Sequence, residues 1–436
     1  MAMAQVPGLF ASVALNPGHP GPDRGMVWAI ALLLYVIISY PFQAVIFPWL
    51  GPWPQVTYVV LCLLGLVGLL RLGTPGIRIE HTKPTTAAVA VLACTMVATL
   101  AFYRNPTVIR DMLLLALITL FVFRTRGIET IRVLRALIYI CVGALLVAMI
   151  VVVLFNLEVI DNPSWLVERL GLDPANPVVI RQVWADGVYY MPWWLAIVPR
   201  VGLDDQGFGL HFTRQPFIYI EPTDTWYYTA GLFWFAIADT SLPGRRFCLV
   251  ILGIALAVSF SVVGVLATLA AVAICIGMTI GGRKVVFLLF GAGLLLLAII
   301  PLDTLLKLVG GNKSDQLHYY TENVTVFTDL TLLGHAPSTD EPKSYGVLAV
   351  LYRYGEIGAA VMFMVVLALG AAALEILRDK AVLGWRRFPL FMGCFVSLAM
   401  LMKFTELVPV MPTICLTVAL SVRQMRMDPF TRCLLR

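Results

Sequence analysis

Apolar stretches long enough to cross a lipid bilayer recur along almost the whole chain, and this constrains the fold more than any other feature. They fall near residues 27–47, 55–72, 85–103, 107–123, 134–156, 225–240, 247–260, 262–280, 285–302, 345–375, 388–402 and 405–422. In hydrocarbon every backbone N–H and C=O must be satisfied within the chain, so segments of this kind form helices. A span takes about 20 residues; several of these stretches are shorter, so the pattern sets their ends only loosely. The pair 247–260 and 262–280 admits two readings: one broken helix, or two helices joined by a tight turn at Ser259–Ser261. Composition agrees with a lipid solvent. Hydrophobic residues make up 60% of the chain and charged ones 13%, whereas a soluble domain carries about 25% charge. The expected fold class is an all-α polytopic membrane protein with about twelve transmembrane helices.

The basic residues assign sides to these helices. With the N-terminus cytoplasmic, the inside loops hold Arg71, Arg78 and Lys83, then Arg124, Arg126, Arg132 and Arg135, then Arg245 and Arg246, then Arg283 and Lys284. Arg378, Lys380, Arg386 and Arg387 follow, and then the tail with Arg423, Arg426, Arg432 and Arg436. Together with Arg24 these are 20 of the 31 basic residues. Such a bias sets orientation, and it accounts for the net charge of +6. No basic run carries interleaved aromatics, so no nucleic acid is expected as a partner. The first apolar segment, Val27 to Phe47, is too long for a signal h-region and reads as a retained span. The divisions are helices one to five in 1–156, a large loop in 157–224 and helices six to nine in 225–302. A second loop in 303–344 and helices ten to twelve with a cytoplasmic tail in 345–436 complete the chain. The eight cysteines fall in apolar spans or on the cytoplasmic side, with no CxxC pair, so neither a disulfide framework nor a thiolate metal site is indicated.

The two long loops lie on the opposite side, and loops of this length in a compact architecture are usually functional. In the first, acidic residues outnumber basic ones nine to four, and Trp165, Trp184, Trp193 and Trp194 suit an interface. Its segment WLVERLGL (165–172) has the pattern of a surface-lying amphipathic helix. The loop ends in HFTRQPFIYIEPTDTW (211–226), which places Arg214, Glu221 and Asp224 next to the membrane. A guanidinium suits bidentate capture of phosphate oxygens, and a nearby carboxylate can act as a base on a sugar hydroxyl. The plainer role for Asp224 is a helix N-cap. Arg181 and Arg200 are further cation candidates, with surface pairing as the alternative. Arg353 lies about nine residues into span ten, where charge is costly and marks function, and Glu356 follows at i+3. His335 in LLGHAPSTDE (332–341) is a candidate base in the second loop. No metal-ligand spacing, P-loop, dinucleotide fingerprint or nucleophile elbow occurs, so no cofactor is expected.

This arrangement resembles the bacterial O-antigen ligase/polymerase superfamily, most of all the Wzy-type exopolysaccharide polymerases, with a xanthan-type gum polymerase as one form. The resemblance covers roughly residues 200–375. RQPFIYIEPTDTWYYTAGLF (214–233) is similar to the family's arginine followed by an F-x-E-P-like motif and a span, matching Arg214 and Glu221–Pro222. SFSVVGVLATLA (259–270), LLGHAP (332–337) and GVLAVLYRYGEIGAA (346–360) are similar to its later segments, with Gly355 and Gly358 as the glycine pair. One departure is clear. Where ligases open this last motif with His-Asn, this chain has Ser344–Tyr345, and Arg353 stands where an acidic residue is expected.

The resemblance implies a glycosyltransferase-C-like fold with two large periplasmic loops in a bacterial inner membrane. It implies a metal-independent glycosyltransferase, with an undecaprenyl-diphosphate-linked oligosaccharide as donor and a second lipid-linked repeat unit as acceptor. A chain-length regulator and an export complex are the implied protein partners, beside the lipid bilayer. Arg181, Arg200, Arg214 and Arg353 would hold the diphosphate, and Tyr345 and Tyr352 would bind the sugars. Glu221, Asp224 or His335 would take the acceptor's proton. The alternatives are an O-antigen ligase acting on lipid A-core, which the Ser344–Tyr345 departure disfavours, and a lipid-linked oligosaccharide flippase or other transporter. Against a carrier stand the tiny middle loop (239–246) and central spans nearly free of charge.

Overall fold

The computed structural model describes residues 94, 96–98, 101, 127–157, 159–160, 164–175, 179–184, 187–192, 222–282, 284–285, 288, 332, 346–401 and 410–427. Seven long helices dominate them. These are α1 (Gly127–Asn156), α3 (Pro222–Ala238), α4 (Arg245–Ser259), α5 (Val262–Ile280), α6 (Gly346–Arg378), α8 (Arg387–Leu401) and α9 (Val410–Met427). A short α2 (Trp165–Arg169) and an antiparallel hairpin, β1 (Val179–Trp184) with β2 (Gly187–Pro192), follow α1. A four-residue α7 (Lys380–Leu383) and a 3-10 turn (Gly384–Arg386) lead from α6 into α8.

The chain is a helical membrane protein. Stretches of α1, α5 and α6 (Val133–Leu154, Val263–Ile280 and Val350–Arg378) are long and apolar enough to cross a bilayer. Their outward faces carry apolar stripes at helical spacing, such as Val147, Ile150 and Val153 on α1 and Phe363, Met364 and Leu367 on α6. Exposed apolar surface on that scale is stable only in lipid.

At the centre α3 lies against α8, with α4, α5, α6, α9 and α1 around the pair. Lipid offers no hydrophobic drive for helices to associate, so close packing through small residues supplies the attraction. A Cβ added to Gly393 of α8 would lie 3.3 Å from the carbonyl oxygen of Gly231 in α3. One added to Gly231 would lie 2.7 Å from Ser397 Oγ and 3.1 Å from Cys415 Sγ of α9. The three helices therefore meet at Gly231 almost backbone to side chain. Gly231→Ala is expected to cost about 1–3 kcal/mol through overpacking. A thermal midpoint of the detergent-solubilised protein equal to wild type would show that α8 separates from α3 at little cost.

A polar knot ties the helix ends on the basic side. Arg135 of α1 donates from Nε to Asp239 Oδ2 at 2.7 Å and from Nη2 to Asp239 Oδ1 at 3.1 Å and Ser241 Oγ at 2.7 Å. Arg245 donates to the carbonyls of Ala236 and Ile237, both at 2.8 Å, and so satisfies two orphan acceptors at the C-terminus of α3. Tyr139 donates to the Pro243 carbonyl, and Arg386 to Thr240 Oγ1. The short turn between α3 and α4 thus receives side chains from α1 and from the approach to α8.

The junction at Ser259–Ser261 consists of two helices and a tight turn. Phe260 takes a positive φ of 21°, a strained state for a large side chain. Ser261 caps α5 by accepting from the Gly264 N–H at 3.3 Å. Trp226 near the start of α3 packs on Gly264 and donates from Nε1 to the Leu256 carbonyl at 3.1 Å. Further along α5, Cys275 comes within electrostatic reach of Arg387 at the start of α8. So α5 runs back toward the basic end, packed chiefly on α8, while α4 packs on α3.

With these contacts α1, α4 and α8 run away from the basic end, and α3, α5, α6 and α9 run toward it. That is the alternation expected from the basic residues. The spans expected at 27–47, 55–72, 107–123 and 285–302 lie outside the described residues, save Lys284, Val285 and Leu288 at the edge of the last, and 85–103 is described at only a few positions.

Candidate functional site

The far end of the bundle, opposite the basic knot, gathers the described part of the candidate site. Segment 157–224 joins the far end of α1 to the far end of α3, and where described it is folded. The expected amphipathic helix at 165–172 is only the five residues of α2. Its Val167 is buried, and the preceding Ser164 accepts from the Tyr190 N–H of β2 at 2.9 Å. The segment therefore packs on a hairpin and does not lie free along the membrane. The hairpin is a departure from the expected all-α fold. Its strands VIRQVW and GVYYMP are rich in β-branched and aromatic residues, and two residues close the turn between Trp184 and Gly187. The register sets Arg181 opposite Tyr190.

Asp224 is the third residue of α3. The helix opens on Pro222, a favoured first residue because its missing N–H has no intrahelical partner to lose. Asp224 is therefore not the N-cap. It lies within the first turn, where the helix dipole favours negative charge. Behind it, Thr225 and Thr229 are fully buried on α3, and Ser259 and Ser261 are buried at the α4–α5 turn. Tyr227, also fully buried, accepts from the Met411 N–H at the start of α9 at 3.3 Å. The sequence marked Ser259 and Ser261 at the turn, but the buried threonines of α3 carry no signal there beyond Thr at i and i+4 within an apolar span.

Tyr352 and Arg353 lie on α6, immediately before a break. Gly355 has φ 66° and ψ −165°, and the helix resumes at Glu356. Tyr352 is nearly buried and Tyr354 wholly so, while Arg353 is partly buried and Glu356 exposed. The break falls between Arg353 and Glu356, which stand at i and i+3 in the sequence. From Glu356 to Arg378 the helix has 23 residues, about 34 Å at 1.5 Å per residue. That already spans a hydrocarbon core of about 30 Å. The apolar span Val350–Arg378 begins before the break and includes Arg353 close to its far end.

Arg181, Asp224, Tyr352 and Arg353 thus belong to the far end of the bundle, on three different elements. Glu221, Arg200, Arg214, Tyr345 and His335 lie outside the described residues, as do the side chains of Arg181 and Asp224. Comparison with family models, with curated proteins and with solved structures finds no match to this chain.

Proposed function

We propose that this protein polymerises undecaprenyl-diphosphate-linked oligosaccharide repeat units into exopolysaccharide at the periplasmic face of a bacterial inner membrane. The observation that carries the reading is the far-end location of Arg181, Asp224 and Arg353, on the side away from the basic knot at Arg135, Arg245 and Arg386. By the positive-inside bias the knot is cytoplasmic, so the candidate residues face the compartment in which lipid-linked repeat units are joined. In the sequence the motif RQPFIYIEP, with Arg214 and Glu221, directly precedes α3.

In the proposed reaction a hydroxyl oxygen of the acceptor repeat attacks the anomeric carbon of the donor glycan. The bond from that carbon to the diphosphate oxygen breaks, and undecaprenyl diphosphate departs with the electron pair. Arg181, Arg200, Arg214 and Arg353 offset the charge that grows on the leaving group, an effect that is large in a water-poor site. Glu221, Asp224 or His335 accepts the hydroxyl proton. Tyr345 and Tyr352 bind the sugars.

The test is deletion and complementation. Deleting the gene is expected to accumulate single lipid-linked repeat units on the periplasmic side and to abolish long polymer. Wild type restores polymer, and Arg214→Ala does not, with a loss of at least about tenfold if one diphosphate contact is removed. Repeat units held on the cytoplasmic face would instead identify a flippase and remove the catalytic roles. Full polymer with Arg214→Ala would remove the phosphate role of that residue.

A further inference from the structure

The break at Gly355 is the one place among the described residues where a long membrane helix leaves helical geometry in its interior. At φ 66° and ψ −165° the backbone lies in a region that essentially only glycine occupies. The two sides of the break differ in what they need. From Glu356 to Arg378 the helix is apolar over its first turns and presents Ile357, Phe363, Met364 and Leu367 to the surroundings. It is long enough to cross the bilayer unaided. On the other side, GVLAVLYRY (346–354) ends in a Tyr-Arg-Tyr run. A continuous helix would carry Gly346–Tyr354 straight on past the interface, away from the rest of the bundle. Instead Tyr352 and Tyr354 are buried, so the segment beyond the break is packed down onto the protein.

We propose that Gly355 is a fixed elbow. It ends the spanning part of α6 at the far membrane face and turns Gly346–Tyr354 into a strap across the end of the bundle, which presents Arg353 at the level of lipid phosphates. The buried tyrosines on either side of Arg353 hold the strap down, and the arginine between them is only partly buried. Gly355 is a positioning residue, since it acts through Arg353. The ligand assigned to Arg353 rests on the glycosyl-transfer reading above; the place assigned to Arg353 does not.

The test separates those two dependencies. In right-side-out membrane vesicles, Arg353→Cys is labelled with a membrane-impermeant maleimide. Val159→Cys, 65% exposed in the far-end loop, is the accessible reference, and Leu367→Cys, 50% exposed on the apolar stripe of α6, is the lipid-facing one. Thiolate formation is suppressed in hydrocarbon, so the two references should differ by roughly tenfold or more. Arg353→Cys is expected to label like the Val159 variant. Labelling like the Leu367 variant overturns the elbow, because Arg353 would then sit among acyl chains.

Gly355→Ala is then added to Arg353→Cys and is expected to cut its labelling by about the same factor. In the complementation assay Gly355→Ala alone is expected to reduce polymer as far as Arg353→Ala does. Gly370→Ala, whose added Cβ meets Leu398 Cδ2 at an ordinary 3.7 Å, should leave both readouts at wild type. Unchanged labelling and polymer with Gly355→Ala overturns the proposal. If that variant does not reach the membrane, the labelling of Arg353→Cys in the otherwise native chain still decides where the elbow lies. If Arg353→Cys labels as expected while gene deletion accumulates no repeat units, the elbow stands and the diphosphate reading fails.

Discussion

Replacing Arg135 by alanine is expected to destabilise the protein by about 3 kcal/mol, more than replacing its partner Asp239. Removing one member of a buried pair strands the other charge away from water. The asymmetry follows from exposure. The Asp239 side chain is 4% exposed and that of Arg135 21%. Without Arg135, the Asp239 carboxylate keeps only the Ser241 N–H and hydroxyl. Without Asp239, the long arginine stem can carry its charge to the nearby interface. Asp239→Ala is therefore expected to cost about 1–2 kcal/mol, and the double variant less than Arg135→Ala alone. Thermal midpoints of the four detergent-solubilised proteins check this. Equal falls for the two single variants, adding fully in the double, would mean that the pair is solvated in the membrane and contributes little.

A second large effect is expected at Gly264. A Cβ there would fall 2.2 Å from Trp226 Cε3 and 2.3 Å from Cδ2. The contact is with the body of a rigid ring, so a rotamer change at the tip of a side chain cannot relieve it. The indole is 8% exposed and held by its bond to the Leu256 carbonyl. Gly264→Ala must displace it, at a cost of about 3 kcal/mol from overpacking plus the lost hydrogen bond. Trp226→Ala alone should cost about 3–5 kcal/mol. In that background Gly264→Ala should become almost neutral, because the clash has gone, and a double-mutant cycle measures this coupling. Additive losses would show that Trp226 does not wedge the α4–α5 turn.

The elements that proved legible in the sequence are those with a strong periodic or electrostatic signature. The stretch 134–156 falls within α1, and 345–375 coincides with α6 from Gly346 onward, because a long apolar run in lipid has no conformation other than a helix. The direction of each described long helix follows from where its arginines lie. The junction at Ser259–Ser261 stayed open because both readings have the same apolar pattern. What decides it is a contact between Trp226 and Gly264, 38 positions apart. The hairpin was missed for a local reason. The alternation in VIRQVW spans only six residues and lies among prolines and acids that read as irregular loop. The break at Gly355 was invisible because glycine is common inside membrane helices, and only its φ distinguishes a packing glycine from an elbow. Of the candidate site, Asp224 stands in the first turn of α3 and Arg353 within the apolar span Val350–Arg378, just before the break in α6.

The packing around α3 bears on how the protein is made. That helix is covered chiefly by α8 and α4, and its notch at Gly231 is filled by Ser397 of α8 and by Cys415 and Met411 of α9; α8 and α9 do not exist until the last part of the chain is synthesised. From Ala238 to Met427 the ribosome must add 189 residues, which takes roughly ten to forty seconds at usual rates. Throughout that interval the Gly231 notch of α3 stands bare to lipid, or else to an insertase. Newly made chains cut short before Arg387 should therefore be substrates for membrane quality control, even though α1, α5 and α6 are each long and apolar enough to stay in the bilayer.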